Sequence, residues 1–297
     1  MDARAALLEG LIDYAGLFPP AALDLPTALR RFDGHQRGQD AMRLGRFVLP
    51  AARLDDIRPW LAGPWLPERP LPLSVLAGLD DLATIAAHAD EQPAVRIEAL
   101  EVRAPVEGTD RWLDDLAGRL AVAGLADREV YVELPNGGDD EVLAALGRRQ
   151  ATPPARRLAG KLRCGGVTED LVPAPERVAA VLASASTGRV PMKFTAGLHH
   201  PVRGMDHTGE IPMHGFLNVY GAALLAHAAG LGAEELLPVI LETEPGAFRL
   251  DTGGFGWRDR AVDAVRIAEL RSDFLAGYGS CSFDEPMTDL RSLALLT

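Results

Sequence analysis

Apolar runs and amphipathic runs alternate along most of this chain. The apolar runs are short and end in a turn with Pro or Gly, and the amphipathic runs carry apolar residues at helical spacing. This alternation predicts parallel βα units. The first six strands are expected at residues 46–50, 73–78, 96–105, 129–135, 158–163 and 190–195, with helices at 54–61, 80–90, 110–123, 139–149 and 175–186.

The last third of the chain is less regular but continues the count. Helices are expected at 215–232, 233–242 and 259–271, and strands seven and eight at 248–251 and 274–283. Eight strands favour a single-domain (β/α)₈ barrel over residues 1–297 rather than a doubly wound sheet. In this prediction residues 45–297 form the barrel and residues 1–44, which include Asp13 and Tyr14, form an N-terminal cap that could also reach into a site.

Strand periodicity places a polar set of side chains inside the barrel. Residues two apart on a strand face the same way, so the apolar alternate residues face the outer helices and the polar ones face the axis. The two acids and four bases of this set sum to a charge of +2, which favours an anionic ligand; a structural ion-pair network is the alternative. The set comprises Glu101, Arg103, Tyr131, Glu133, Lys161, Arg163, Lys193 and Thr195.

Composition narrows the range of partners. The 297 residues carry a net charge of −12, which argues against binding to nucleic acid or to an anionic membrane. We find no secretory signal and no run near the roughly 18 apolar residues of a membrane span. Two cysteines do not make a disulfide framework, so we expect a cytoplasmic protein. A homo-oligomer is left open.

Two lysines stand where a buried strand would ordinarily hold Val or Ile. Lys161 and Lys193 are placed on neighbouring predicted strands, at the same level. A lysine close to another cation loses its proton more easily, and the free amine can attack a carbonyl carbon to form a Schiff base. The two lysines therefore predict a catalytic site at the carboxyl end of the barrel.

Three runs around these lysines resemble the deoxyribose-phosphate aldolase type of class I aldolase. They are Lys161-Leu-Arg-Cys-Gly-Gly166, the helix-like Pro175–Leu182, and Lys193-Phe-Thr-Ala-Gly197 with Arg203. The resemblance covers about 40 residues. It implies a Schiff-base nucleophile at Lys161, and Lys193 as the residue that lowers the pKa of that amine.

The chain departs from the pattern of this family at several positions. Arg163 replaces a small hydroxyl residue, Ala196 replaces the first glycine, and the double histidine that follows is foreign to the pattern. No motif aligns with the acidic proton relay of the family, so Glu101 and Glu133 receive that role from strand parity. Barrels that use a lysine as a base for carbon acids fit the same residues.

Four of the seven histidines lie within 16 residues, at His199, His200, His207 and His214. Imidazole is a common ligand of zinc, iron and manganese, so a metal-assisted hydrolase or lyase is the main alternative function. Without a metal, His199 or His200 could act as a general acid or base at the mouth of the barrel.

The favoured function is an enzyme for a small anionic carbonyl compound, of the aldolase, lyase or isomerase type, with no required cofactor. Lys161, Lys193, Glu101, Glu133 and His199 are the expected catalytic residues. A barrel that binds a small molecule without catalysis is a third possibility. The expected substrate-binding residues are Arg103, Arg163, Thr195, Gly197, His200, Arg203 and Ser280.

Overall fold

A computed structural model describes residues 2–61, 70–150 and 157–296. Its centre is a closed barrel of eight parallel strands, which confirms the (β/α)₈ prediction. The barrel strands are β1 (Ile12–Tyr14), β2 (Leu44–Pro50), β3 (Leu71–Leu76), β4 (Val95–Arg103), β5 (Glu129–Glu133), β6 (Leu158–Arg163), β7 (Met192–Thr195) and β13 (Leu275–Ser280). Around the barrel they are paired in the order β1-β13-β7-β6-β5-β4-β3-β2.

Helices surround the barrel and bury one face against it. In the fifth helix Leu113, Leu116 and Leu120 recur at helical spacing and are buried, as expected for an amphipathic helix that covers a sheet. The helices are α1 (Ala3–Leu8), α2 (Leu25–Arg37), α3 (Arg58–Leu61), α4 (Leu82–Glu91), α5 (Thr109–Val122), α6 (Asp139–Arg149), α7 (Pro175–Thr187), α8 (Phe216–Ala229), α9 (Ala233–Leu241), α10 (Ala264–Asp273) and α11 (Asp284–Ser292).

The chain between β7 and β13 adds two small antiparallel sheets to the barrel. One is a two-stranded hairpin and the other has three strands in the order β10-β11-β12. The helix α8 lies between them in sequence and is buried on all sides from Phe216 to Ala226, since α7, α9 and β12 pack against it. The added strands are β8 (Gly204–Met205), β9 (Pro212–Met213), β10 (Phe248–Leu250), β11 (Gly254–Trp257) and β12 (Arg260–Asp263).

Two strand predictions need correction. The strand predicted at 248–251 is β10, which belongs to the three-stranded sheet and not to the barrel. Its burial alternates, with Phe248 and Leu250 buried and Arg249 exposed, which is typical of an antiparallel strand with one wet face. The eighth barrel strand is instead β1, within the segment predicted to be a cap. Its three residues are too short a run for a clear sequence signal.

The strand registers place alternate residues inside the barrel as the periodicity predicted. Val130, Val132 and Leu134 belong to the large core beneath the helices, whereas Tyr131 lies in a small cluster within the barrel. The inner cluster consists of Tyr131 with three alanines, Ala99, Ala159 and Ala276. These small residues leave room for long polar side chains above and below them. Within the described residues, no helix is long and apolar enough to cross a membrane.

Candidate active site

Lys161 lies between two carboxylates near the carboxyl end of the barrel. The registers align it with Glu133 on β5 and with Lys193 on β7. Its Nζ is 2.7 Å from Glu101 Oε2 and 2.7 Å from Glu133 Oε2. The Lys161 and Glu101 side chains are 4% and 2% exposed, whereas Glu133 is 20% exposed. Glu133 is therefore the carboxylate of this group that solvent or a substrate can reach.

Lys193 is more completely buried than Lys161 and has a different set of partners. Its Nζ forms an ion pair with Asp13 on β1 and lies 3.6 Å from Glu101 Oε1. The ammonium is also 4.8 Å from the centre of the Tyr131 ring, within the range of a cation–π contact. The Lys193 side chain is fully buried. This lysine is thus enclosed by protein groups on several sides.

Glu101 connects the two lysines and is itself held by a hydroxyl group. Ser74 on β3 donates to Glu101 Oε1 over 2.6 Å, while Oε2 faces Lys161. Burial alone would raise the pKa of this carboxyl, but the charges of Lys161 and Lys193 and the hydrogen bonds lower it to about 2. Glu101 is therefore a permanent anion at neutral pH, which makes it a poor proton carrier.

The electrostatic setting of Lys161 differs from the one that the resemblance implied. Burial favours the neutral amine, but the carboxylates of Glu101 and Glu133 outweigh it and raise the pKa of Lys161. The expectation that Lys193 lowers this pKa is thus wrong for the resting protein, because Glu101 lies between the two ammonium groups. Lys161 is an ammonium at rest and must lose a proton before it can act as a nucleophile.

The expected inner charge of +2 also changes, because Asp13 joins the group. Three acids, Asp13, Glu101 and Glu133, now face two lysines in the interior. The two remaining cations of the predicted set, Arg103 and Arg163, are exposed at the strand ends. Among these residues the group around the two lysines therefore carries a net charge of −1, and the two arginines at the rim carry +2.

The rim contains other residues predicted to bind substrate. Arg163 donates from Nε to Gly165 O over 2.8 Å, which holds its guanidinium beside the turn after β6. Gly197 adopts a φ of +72°, and a Cβ on it would lie 2.7 Å from Gly165 Cα, so this close approach of two turns requires glycine. Thr195 is half-buried and aligns with Arg163.

Ser280 lies outside the inner face of the barrel, and Arg203, also predicted to bind substrate, contacts a histidine of the chain that follows β7. Ser280 is 2% exposed, aligns with the outward-facing Tyr14, and accepts from Ser282 N over 3.3 Å, so its hydroxyl belongs to a turn. Arg203 is half-buried, and its Nη1 lies 3.1 Å from His214 Nδ1. Burial lowers the pKa of this guanidinium.

The four clustered histidines bind separate partners. His199 Nδ1 is 2.9 Å from Glu285 Oε2, and His200 Nδ1 is 2.6 Å from Asp289 Oδ2, both on α11. His214 Nε2 is 2.8 Å from Pro173 O, and His207 is 83% exposed. Among the residues that the structure describes, no three His, Cys, Asp or Glu side chains form a metal-binding group.

A second polar layer lies below the lysines, near the amino ends of the strands. Arg46 Nε donates to Glu98 Oε2 over 2.9 Å, and its Nη2 donates to Glu129 Oε2 over 2.7 Å. The Tyr131 hydroxyl donates to the same Glu129 oxygen over 2.5 Å. Arg46 N also donates to Asp13 Oδ1 over 2.7 Å, which links this layer to the lysine layer.

A large cavity opens on this lower side of the barrel. It has a volume of about 1210 Å³ and reaches from the surface near Glu9 and Arg37 to Asp13 and Tyr131. Neither lysine lines it. We place the candidate active site at the opposite, carboxyl end, because Lys161 and Glu133 face the rim arginines there and because barrel enzymes build their sites from the loops at that end.

The number of lysines in the sequence is a signal that could have identified the candidate active site. Of the 30 lysine and arginine residues in the whole chain, only Lys161 and Lys193 are lysines. A chain that otherwise uses arginine places both of its lysines inside the barrel. The role of Asp13 had no comparable signal, because the short β1 was not predicted as a barrel strand.

Comparison with protein-family models and with curated protein sequences finds no match to this chain. The function is therefore inferred from the geometry of the site.

Proposed function

We propose that this protein is an enzyme that acts on a small anionic carbonyl compound through the amine of Lys161. The observation that carries the proposal is the position of Lys161 Nζ, 2.7 Å from both Glu101 and Glu133 at the carboxyl end of the barrel. A buried amine in contact with a reachable carboxylate has both a nucleophile and a proton acceptor.

The roles of the two carboxylates follow from their burial. Glu133 accepts the proton of the Lys161 ammonium when substrate enters, since it is the more exposed of the two. Glu101 stays ionised and keeps its charge between Lys161 and Lys193. Lys193, paired with Asp13, balances that charge beside the reacting centre.

The reaction then proceeds as ordinary amine catalysis. The free amine of Lys161 attacks the carbonyl carbon and a C–N bond forms. The oxygen takes one proton from this nitrogen and one from Glu133, and leaves as water. The resulting iminium ion withdraws electrons from the neighbouring carbon. This permits cleavage or formation of a carbon–carbon bond, or loss and return of a proton, as in aldolases, other lyases and isomerases.

The charge at the rim supports the choice of an anionic substrate. Arg103 and Arg163 are exposed at the ends of β4 and β6, on the inner face that carries Glu101 and Lys161. A carboxylate or phosphate bound by these guanidinium groups would leave a carbonyl group directed toward the interior.

Reductive trapping tests this proposal. The full-length protein is incubated with a panel of small aldehydes, ketones and keto acids, with and without a carboxylate or phosphate, and treated with borohydride. We expect one covalent adduct per chain by intact mass, strongest with anionic compounds, absent in Lys161→Arg and unaffected by a chelator. Adducts that persist in Lys161→Arg would contradict the proposal.

The same panel separates the alternatives. A lysine that acts only as a base would exchange a substrate C–H for deuterium from solvent without any adduct. A barrel that only binds small molecules would show ligand-dependent thermal stabilisation, with neither adduct nor exchange. Metal-assisted chemistry would be lost on treatment with a chelator.

A further inference from the structure

Cys281 and two polar side chains form a separate cluster at the carboxyl end of the barrel. Cys281 is the first residue after β13, and its Sγ lies 3.8 Å from His199 Nε2. The other ring nitrogen of His199 is 2.9 Å from Glu285 Oε2. A thiol, an imidazole and a carboxylate thus lie in the order found in enzymes with an activated nucleophile.

The hydrogen bonds assign the tautomer of His199. An ionised carboxylate only accepts hydrogen bonds, so Glu285 requires the proton to be on Nδ1. The lone pair of Nε2 then faces the Cys281 thiol. This is the tautomer in which an imidazole acts as a general base toward a neighbouring nucleophile.

The backbone brings this histidine to the cysteine. Ala196 and Gly197 both adopt positive φ angles, 59° and 72°, and turn the chain sharply after β7. Ala196 N donates to Gly279 O over 3.1 Å, which ties the turn to β13. Leu198 is fully buried and fixes the next residue, so His199 is held beside the end of β13.

We propose that Cys281, His199 and Glu285 form a second catalytic site, at which the Cys281 thiol accepts a small acyl group from an activated ester or thioester. Cys281 is 7% exposed and the His199 side chain is 17% exposed, which restricts the site to small groups. This inference rests on its own contacts and does not depend on the chemistry of Lys161.

The acyl transfer is balanced within these residues. His199 Nε2 takes the thiol proton as sulfur attacks the carbonyl carbon, and a C–S bond forms. The bond to the leaving oxygen or sulfur then breaks, and His199 returns the proton to that atom. Burial raises the pKa of the Cys281 thiol, so a base is needed for this step.

The other cysteine is an internal control. Cys164 is fully buried, its Sγ donates to Leu162 O over 3.7 Å, and burial raises its pKa to about 12. The neighbouring pair of His200 and Asp289 supplies a control variant. His200 Nδ1 lies 2.6 Å from Asp289 Oδ2 on α11, as His199 lies beside Glu285. The Cys281 thiol, however, contacts His199 and not His200.

The test uses p-nitrophenyl acetate and the full-length protein at pH 7.5, with peptide mapping of the acetyl group. We expect acetylation of Cys281 and not of Cys164, with a burst of nitrophenolate. His199→Gln should slow acetylation of Cys281 by about 100-fold and Glu285→Gln by about tenfold, whereas Asp289→Asn should leave it unchanged.

Two results would overturn the proposal. One is Cys281 acetylated equally fast in wild type and Glu285→Gln, a variant of the same size whose folding is verified by its thermal transition. The other is Cys281 inert to both the ester and iodoacetamide in the native protein, which would make it a packed core residue. Acetylation found only on lysine peptides would also overturn the proposal, because Cys281 would then be unreactive toward the ester.

Discussion

The barrel contains two polar layers, and they differ in the cation that each uses. The lower layer places Arg46 between Glu98 and Glu129, and the upper layer places Lys161 between Glu101 and Glu133. In both, one cation contacts two carboxylates at 2.7–2.9 Å. The topology is the same, but a guanidinium cannot give up its proton in a protein, whereas an ammonium can.

A buried charge that cannot change has a structural role, whereas a buried charge that can gain or lose a proton can take part in a reaction. Charges raise the pKa of Arg46 further, although burial opposes this, so the lower layer is fixed in one charge state. The upper layer contains the two lysines of the chain and the more exposed Glu133. We infer that the lower layer holds the strands in register and that the upper layer moves protons.

The largest effect is expected from Lys161→Arg, which makes the upper layer resemble the lower one. Charge is kept but the nucleophile is lost, so trapping with borohydride and turnover of any identified substrate should fall by at least about 1000-fold. The unfolding transition should remain cooperative. Mass spectrometry and initial rates measure the first effect, and denaturant unfolding measures the second. If Lys161→Arg retained a tenth of wild-type activity, the upper layer would have no chemical role that the arginine layer lacks.

Acid should lower the free energy of unfolding by an amount that follows from the titration of Glu101 in the upper layer. The pKa of Glu101 is lowered from 4.5 to about 2 in the folded protein, so this carboxylate stabilises the fold above its unfolded pKa. That contribution, about 3 kcal/mol, should disappear as the pH falls from 4.5 toward 2. Denaturant unfolding at several pH values should show it in wild type. The slope over this range should be smaller in Glu101→Gln, and an identical slope would show that Glu101 is not the titrating group.

The reciprocal change, Arg46→Lys, is expected to affect stability and not chemistry. Arg46 reaches Glu98, Glu129 and the Tyr131 hydroxyl with three different nitrogens, and one ammonium cannot replace this fork. We expect a loss of about 2 kcal/mol in the free energy of unfolding. Trapping at Lys161 should persist below the unfolding transition. Loss of trapping in a folded Arg46→Lys protein would mean that the two layers act as one unit.

The smallest effect is expected from Ser74→Ala. The hydroxyl makes a 2.6 Å hydrogen bond to Glu101, and its removal should cost about 1–2 kcal/mol of stability, because the acceptor is charged and buried. Trapping should slow only a few-fold, since Lys161 and Glu133 stay in place. Thermal unfolding and single-turnover trapping check these two expectations. Ser74→Cys, of similar size, is the matched control for packing.

Sequence periodicity predicted the barrel and the inner face of its strands but not every element. Six βα units have clear apolar runs, and the alternation around Tyr131 and Glu133 placed these side chains correctly. The short β1 was missed because three residues carry too little pattern. Strand β10 was misplaced because an alternation of apolar and polar residues does not specify the partner strand.

The candidate site was predicted only in part for a related reason. Strand parity brought Glu101, Glu133 and the two lysines together, since it needs only local spacing. Asp13 pairs with a residue 180 positions away, and His199 with one 86 positions away. Contacts at such separations depend on barrel closure and loop paths, which no local pattern encodes.

The distribution of a trapped label between the two lysines shows whether Lys161 is the reacting amine. The wild-type protein is reduced with borohydride in the presence of the best carbonyl compound, digested, and both lysine peptides and the amino terminus are quantified. We expect nearly all of the label on Lys161, because Lys193 is fully buried against Asp13. Equal labelling of all three amines, or label concentrated on Lys193, would contradict it.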